Sequence, residues 1–216
     1  EAERVDSSFG SALRAYALLL RDRHYLGLVF IGAFAMAGFF VYLAGSPFVL
    51  INHYGLSPTQ YSLAFGVNAA AFIGAAQFTG ALGRRLGLPT LAKGAATASG
   101  LVMAALLAYY LAGGDRLAVL IALNFVATGF MGLVIPTVSV LALDKHGAIA
   151  GTASALMGTL QMLCGAAAMG IVGLFANGEP LPMVVGMAAG TLTALVLSWV
   201  TLRQPVAGAP VQRLQG

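Results

Sequence analysis

Charge is what this sequence most plainly lacks. Asp, Glu, Lys and Arg make up only 8% of its 216 residues, against about 25% in a soluble domain. That is too little to cover a water-facing surface, so a soluble globular protein is excluded. Cysteine is nearly absent: Cys164 stands alone, so neither an intrachain disulfide nor a cysteine metal site can form. A lone thiol in an apolar run acts as a small core hydrophobe. The three histidines, His24, His53 and His146, lie at segment ends or in loops, and no two of them are helically spaced. No metal or other cofactor is expected. The net charge is +4, but its basic residues are scattered, which excludes the clustered footprint of a nucleic-acid binder. H-E-x-x-H, G-x-S-x-G, a P-loop and paired Asn-Pro-Ala motifs are all missing. No His lies inside an apolar stretch to activate a serine, so an enzyme is not expected. The chain opens at Glu1 without a basic-apolar-small leader. Its opening reads as an internal linker, and a piece of a longer protein is the expectation.

What the chain has instead is apolar length: 59% hydrophobic residues and a mean hydropathy of +0.89. A hydrocarbon core about 30 Å thick needs roughly 20 apolar residues per helix. Six stretches qualify: residues 25–44 (extending toward 50), 61–82, 91–111, 117–142, 149–175 and 181–202. Without strict alternation they must be helices, because lipid cannot satisfy open backbone. Turn residues separate them: Ser46-Pro47 and Ser57-Pro58 around the first loop, Gly87-Leu88-Pro89, Gly113-Gly114-Asp115, Asp144 to Gly147, and Asn177 to Pro180. Ser57 is a strong N-cap with Pro58 in the first turn. Ten of the eleven Lys and Arg fall in the N-terminal segment, the second and fourth loop regions and the tail; only Arg116 lies on the other side. The positive-inside rule therefore places both termini in the cytoplasm, as an even number of crossings requires.

Residues 1–24 are too short of apolar length to cross. Phe9, Leu13, Tyr16 and Leu20 share one helical face with Arg14 and Arg21 off it, the pattern of an interfacial helix. The expected organisation is a cytoplasmic linker with that helix (1–24), a six-helix membrane domain (25–203) and a loose Pro-containing tail (204–216).

No Asp, Glu or Arg sits deep in a span, and Lys93 is close enough to a helix start to snorkel. Uncharged polar residues do occur at depth. Tyr61, Phe65, Asn68 and Phe72 form a stripe in the second span, Asn124, Thr128 and Met131 one in the fourth, and Ser154, Met157 and Gln161 one in the fifth; the first span adds Phe34, Phe39, Phe40 and Tyr42. Aromatic and Met side chains around a few amides suit an adaptable apolar pocket. The same amides also serve as interhelical hydrogen-bonding groups. Phe34, Phe39, Asn68, Phe72, Asn124, Thr128, Met131, Met157 and Gln161 are the candidate cavity residues. Gln77 lies about 180° around its helix from Asn68 and is expected to face another helix. Gly151, Gly158 and Gly165 recur at seven-residue steps, a face for close helix approach. Pro136 is expected to kink the fourth span.

Several stretches resemble a known family. Gly80, Gly83, Arg84, Arg85 and Gly87, in the loop after the second span, are similar to the major facilitator signature G-x-L-a-D-r-x-G-r-r, with Gly83 where the signature has Asp. Residues 35–50 (AMAGFFVYLAGSPFVL), 54–68 (YGLSPTQYSLAFGVN), 135–143 (IPTVSVLAL) and 150–161 (AGTASALMGTLQ) resemble the seventh, eighth, tenth and eleventh helices of Bcr/CflA-type drug-resistance transporters. The resemblance implies the C-terminal six-helix half of a twelve-helix fold, built as a 3+3 inverted repeat, in the inner (cytoplasmic) membrane of a bacterium. It implies proton antiport of drug-like molecules by alternating access, with coupling carboxylates in the other half. Expected partners are that N-terminal six-helix half, the lipid bilayer, a small drug-like substrate and protons, with no nucleic acid. Two other arrangements fit the residues: a six-helix structural or assembly subunit that transports nothing, and a half-size carrier that homodimerises.

Overall fold

The computed structural model describes residues 9–203, and every structural statement below concerns them. The readings of residues 1–8 and of the tail 204–216 lie outside them. The order is α1 (Phe9–Arg21), α2 (Arg23–Pro47) continuing into a π-helical turn (Phe48–His53), α3 (Pro58–Gln77), α4 (Thr79–Leu86), α5 (Leu88–Leu111), α6 (Leu117–Asp144), a 3-10 turn (Gly147–Ile149), α7 (Ala150–Gly173) and α8 (Pro180–Thr201). Five helical segments are long and apolar enough to cross a membrane, and the α3–α4 pair makes a sixth if counted as one span.

The helix starts follow the capping chemistry of the sequence. Ser57 and Gln60 form a reciprocal capping box ahead of α3, with Pro58 at the first helical position. Asp22 caps α2 by accepting from the N–H groups of His24 and Tyr25.

One expectation about the helices needs correction, and two further spans show backbone features of their own. The first loop does not open at Ser46-Pro47. The helix passes through Pro47 and widens into a π-helical turn ending at His53. Pro47 has no N–H to offer the carbonyl four residues back, and the turns beyond it rebond at wider spacing, Tyr54 N–H to Val49 O at 3.1 Å. The second span is not straight: α3 and α4 meet at a 45° bend at Phe78. There the Phe78 N–H turns to Ala75 O, three residues back, and Gly74 and Gly80 flank the break. α6 runs through Pro136 and is helical from Leu117 to Asp144. The Thr137 hydroxyl donates to Leu133 O at 2.6 Å, occupying a carbonyl beside the proline, as hydroxyl side chains do in membrane helices.

α2 is the central helix, packed against α6, α7 and α8; α5 lies between α6 and α8, and α3 lies on α6. Bilayer lipid is as apolar as leucine, so close fit holds such helices together rather than escape from water. Gly38 and Gly190 show how close: a Cβ at Gly190 would lie 2.7 Å from the Phe34 carbonyl oxygen. The glycine repeat of α7 was expected to do the same, but only Gly165 touches a neighbour, the ring of Phe40, while Gly151 and Gly158 meet nothing within 4 Å. α3 and α7 bury few residues, Ala64 and Asn68 in one, Ala153, Met157 and Gly165 in the other. Their outer faces carry exposed Leu63, Leu163 and Ile171.

Polar ties close both ends of the bundle. At the end bearing the termini, His146 Nε2 lies 3.3 Å from Asp22 Oδ2, its Nδ1 bonds to Ala142 O, and Tyr25 donates to Ala153 O at 2.6 Å. Burial pushes the Asp22 carboxyl up, but the N–H groups of Tyr25 and His24 and the imidazoles of His146 and His24 outweigh it and leave the group below its usual range. At the opposite end, Asp115 in the α5–α6 loop accepts from Tyr54 at 2.5 Å and pairs with His53 at 2.8 Å. The Tyr54 hydroxyl, and then His53, hold the Asp115 carboxyl below the ordinary carboxylate range. Burial, followed by the bonds to Asp115 and Tyr110, holds the Tyr54 phenol well above the ordinary tyrosine range.

α1 packs inward through Ala15 and Leu19 and leaves Leu13 and Leu20 exposed. Those two residues of the predicted apolar stripe are therefore not covered by the bundle.

Candidate functional site

A cavity of about 280 Å³ opens between α2, α3 and α6, lined by Phe39, Tyr42, Phe65, Asn68, Ala69, Phe72, Ile73 and Thr128. Its shape follows from helical spacing. Phe65, Asn68 and Phe72 recur at three- and four-residue steps on α3, so one face of that helix presents all of them. Phe39 and Tyr42 do the same on α2. The rings of Tyr42 and Phe65 stack with centroids 6.0 Å apart and planes 5° from parallel, forming a flat wall. No Asp, Glu, Lys or Arg lines the cavity.

A second void, about 20 Å³ and so the size of one water, adjoins it, lined by residues including Phe39, Tyr42, Ser99, Asn124, Thr128, Met131 and Thr191. Asn68 and Asn124 sit where the two meet. Asn124 Nδ2 donates to Asn68 Oδ1 at 3.1 Å. Asn68 Nδ2 donates to Ala64 O at 3.0 Å and to the Tyr42 hydroxyl at 3.4 Å. Both asparagines are 3% exposed, so a buried hydrogen-bonded chain runs from α6 through α3 to α2. The amides therefore fasten helices and line space at once.

The sequence-derived candidates divide accordingly. Phe39, Asn68, Phe72 and Thr128 line the larger cavity, and Asn124 and Met131 line the small void beside it. Phe34, Met157 and Gln161 line neither and are corrected here. Phe34 and Met157 pack in the hydrophobic core cluster that also takes in Phe39 and Phe72. Gln161 Nε2 is buried without a partner and lies against Gly32 of α2. Gly32 lies seven to ten residues before Phe39 and Tyr42, about 10–15 Å along the helix, so Gln161 is at the wrong depth. Helical stripes gave the facing of a residue but not its level. Gln77 does point away from the cavity, but it is exposed and satisfied by Ile73 O rather than packed on another helix. Ser99, Met187 and Thr191, which line the small void, were missed. Their signal was slight: single small or flexible residues inside otherwise apolar runs.

The signature residues were read as a loop, but Gly80, Gly83, Arg84 and Arg85 are helical in α4, and Gly87 makes the turn into α5 with φ +80°. A Cβ at Gly83 would lie 2.7 Å from Leu88 Cδ2. Glycine in place of the signature's Asp lets Leu88 close over this corner.

Six apolar segments, an amide-and-aromatic cavity and this short basic helix between the second and third spans occur together in one chain. The profile of the Major Facilitator Superfamily matches residues 2–169. The chain belongs to the major facilitator superfamily. Members of that superfamily are membrane transporters. It is similar to the "Uncharacterized MFS-type transporter YdgK" of Bacillus subtilis (strain 168), 33% identical over 172 residues. That alignment takes in 80% of this chain and 42% of the relative, so the chain spans less than half the length of that transporter. No solved structure matches the chain.

Proposed function

We propose that this chain is the C-terminal half of a twelve-helix, bacterial inner-membrane exporter of small drug-like molecules, working by proton antiport and alternating access. The observation that carries this reading is the cavity of about 280 Å³ walled by Phe39, Tyr42, Phe65 and Phe72 with Asn68 and Thr128 among them. Flat aromatic faces accept many apolar shapes, and a few neutral polar atoms orient without demanding one partner. The volume is just below the usual range for a drug-sized site, about 300–1,000 Å³, as suits one wall of a site shared with another half. The sparsely buried outer faces of α3 and α7 are where that N-terminal half packs. Both termini face the cytoplasm, and the six helices form two inverted three-helix repeats. α1 lies in the membrane surface with Leu13 and Leu20 toward lipid. None of the cavity's lining residues is acidic, so the groups that exchange protons belong to the other half.

The test uses the full-length protein in efflux-deficient cells and in proteoliposomes with an imposed pH gradient. Phe72→Ala, Asn68→Ala and Thr128→Ala should each change the relative export of a panel of lipophilic dyes and drugs. Phe34→Ala and Met157→Ala, placed outside the cavity, should leave that ranking unchanged. An unchanged ranking in all three cavity variants, at normal membrane abundance, sinks the assignment. Transport indifferent to the pH gradient sinks the proton coupling alone.

A further inference from the structure

On the side of the bundle away from the cavity, α5 and α8 present an arrangement that transport does not call upon. Lys93 Nζ lies 3.8 Å from the centre of the Trp199 indole. The indole N–H donates to Thr97 Oγ1 at 2.9 Å, and the Thr97 hydroxyl in turn donates to Lys93 O at 2.7 Å. The indole of an interfacial tryptophan ordinarily directs its N–H toward the wet headgroup layer. Here the N–H is turned into the protein and the ring is fixed as a platform. The ammonium resting on it forms no ion pair with any described carboxylate.

Depth along the helices places this cation. Lys93 is five residues past the start of α5, about 7–8 Å of rise, and Trp199 is two residues before the end of α8. Both therefore sit where headgroups meet acyl chains. Below them toward the bilayer centre the surface is apolar and uncovered, with exposed Leu101 on α5 and Val196 on α8. A fixed positive charge at headgroup level above an exposed apolar surface matches a molecule with an anionic phosphate at one end and hydrocarbon at the other. Basic pockets between membrane helices at this level recognise such headgroups.

We propose that Lys93, Thr97 and Trp199 form a binding site for one anionic glycerophospholipid, its phosphodiester on the Lys93 ammonium and an acyl chain along Leu101 and Val196. The site needs the chain to span a membrane but not to export drugs, so it stands or falls apart from the transport reading. Bound lipid ties α5 to α8 at the membrane surface.

Trp199 is the only tryptophan of this chain, so its emission reports the site directly. The full-length protein, with any tryptophan outside this chain replaced by phenylalanine, is placed in phosphatidylcholine nanodiscs carrying increasing phosphatidylglycerol. Emission should change and saturate at a low mole fraction. Lys93→Arg, which keeps a stacked cation, should keep the response. Lys93→Gln should need about fivefold more phosphatidylglycerol for half-saturation, the loss of one basic group at the surface. Superimposable Lys93→Gln and wild-type titrations overturn the site in favour of general surface charge. Dissolved glycerophosphate reproducing the change overturns the lipid, because the ion alone would then suffice. Should Lys93→Gln fail to assemble, the wild-type titration still decides: emission indifferent to phosphatidylglycerol overturns the proposal.

Discussion

Single residues in this protein hold two duties where a soluble protein would divide them. Asn68 is both the link between α2, α3 and α6 and part of the cavity wall. Because its amide is already bonded within the protein, its contribution to stability is measurable without a substrate. Hydrogen bonds between membrane helices are worth about 0.6 kcal/mol on average and up to about 1.7. A double-mutant cycle of Asn68→Ala and Asn124→Ala should yield a coupling in that range by reversible unfolding in bicelles; a coupling of zero would show that the bond does not form. In the α5–α6 loop, the Asp115 carboxyl lies below its ordinary range because Tyr54, then His53, bond to its charged form. A depressed carboxyl contributes stability that is present above its unfolded value and is lost as pH falls through the folded one. In a His53→Gln background, where Asp115 is the member of this cluster that titrates in acid, Asp115→Asn should cost under about 1 kcal/mol, as exposed pairs do. That gap should hold from neutrality down to about pH 4 and close below it. A gap that widens as the solution is acidified would reverse the assigned sign.

Among the elements, the bend between α3 and α4 separates the cavity wall from the basic corner, and it brings a polar orphan with it. Thr79 Oγ1 is buried there with no hydrogen-bond partner. An unsatisfied buried hydroxyl costs more than an apolar group of its shape. Thr79→Val should therefore leave the protein as stable as wild type or raise stability by up to about 1 kcal/mol, read as a higher melting temperature in detergent. Destabilisation by a similar amount would mean that the hydroxyl has a partner in the membrane. The spans themselves were readable in the sequence within a few residues, because apolar length and turn residues are local signals. The π-helical turn after Pro47 and the break at Phe78 were not. Both depend on how backbone carbonyls find new donors once neighbouring helices have set the path of the chain.

For the whole molecule, the bundle is unevenly finished. α2 is enclosed, whereas α3 and α7 are left largely uncovered. Its topology is open to direct measurement. With Cys164 replaced by alanine, a single cysteine at Asn177 should react with impermeant reagent from outside the cell, and one at Arg203 or Arg85 only from the cytoplasm. Reaction of positions 177 and 203 from the same side would remove one crossing and undo the charge-based orientation.

Composition and pattern alone gave the apolar segments long enough to cross a membrane and the polar residues unusual within them. Each of those follows from transfer free energy and local spacing. Tertiary structure decided which of those residues meet. Phe39, Asn68, Phe72 and Thr128 converge on one cavity, while Phe34, Met157 and Gln161 do not line it. Helical periodicity fixes the direction in which a side chain points, but its height beside a neighbouring helix is set only when packed glycines such as Gly38 and Gly190 fix how the helices slide past each other.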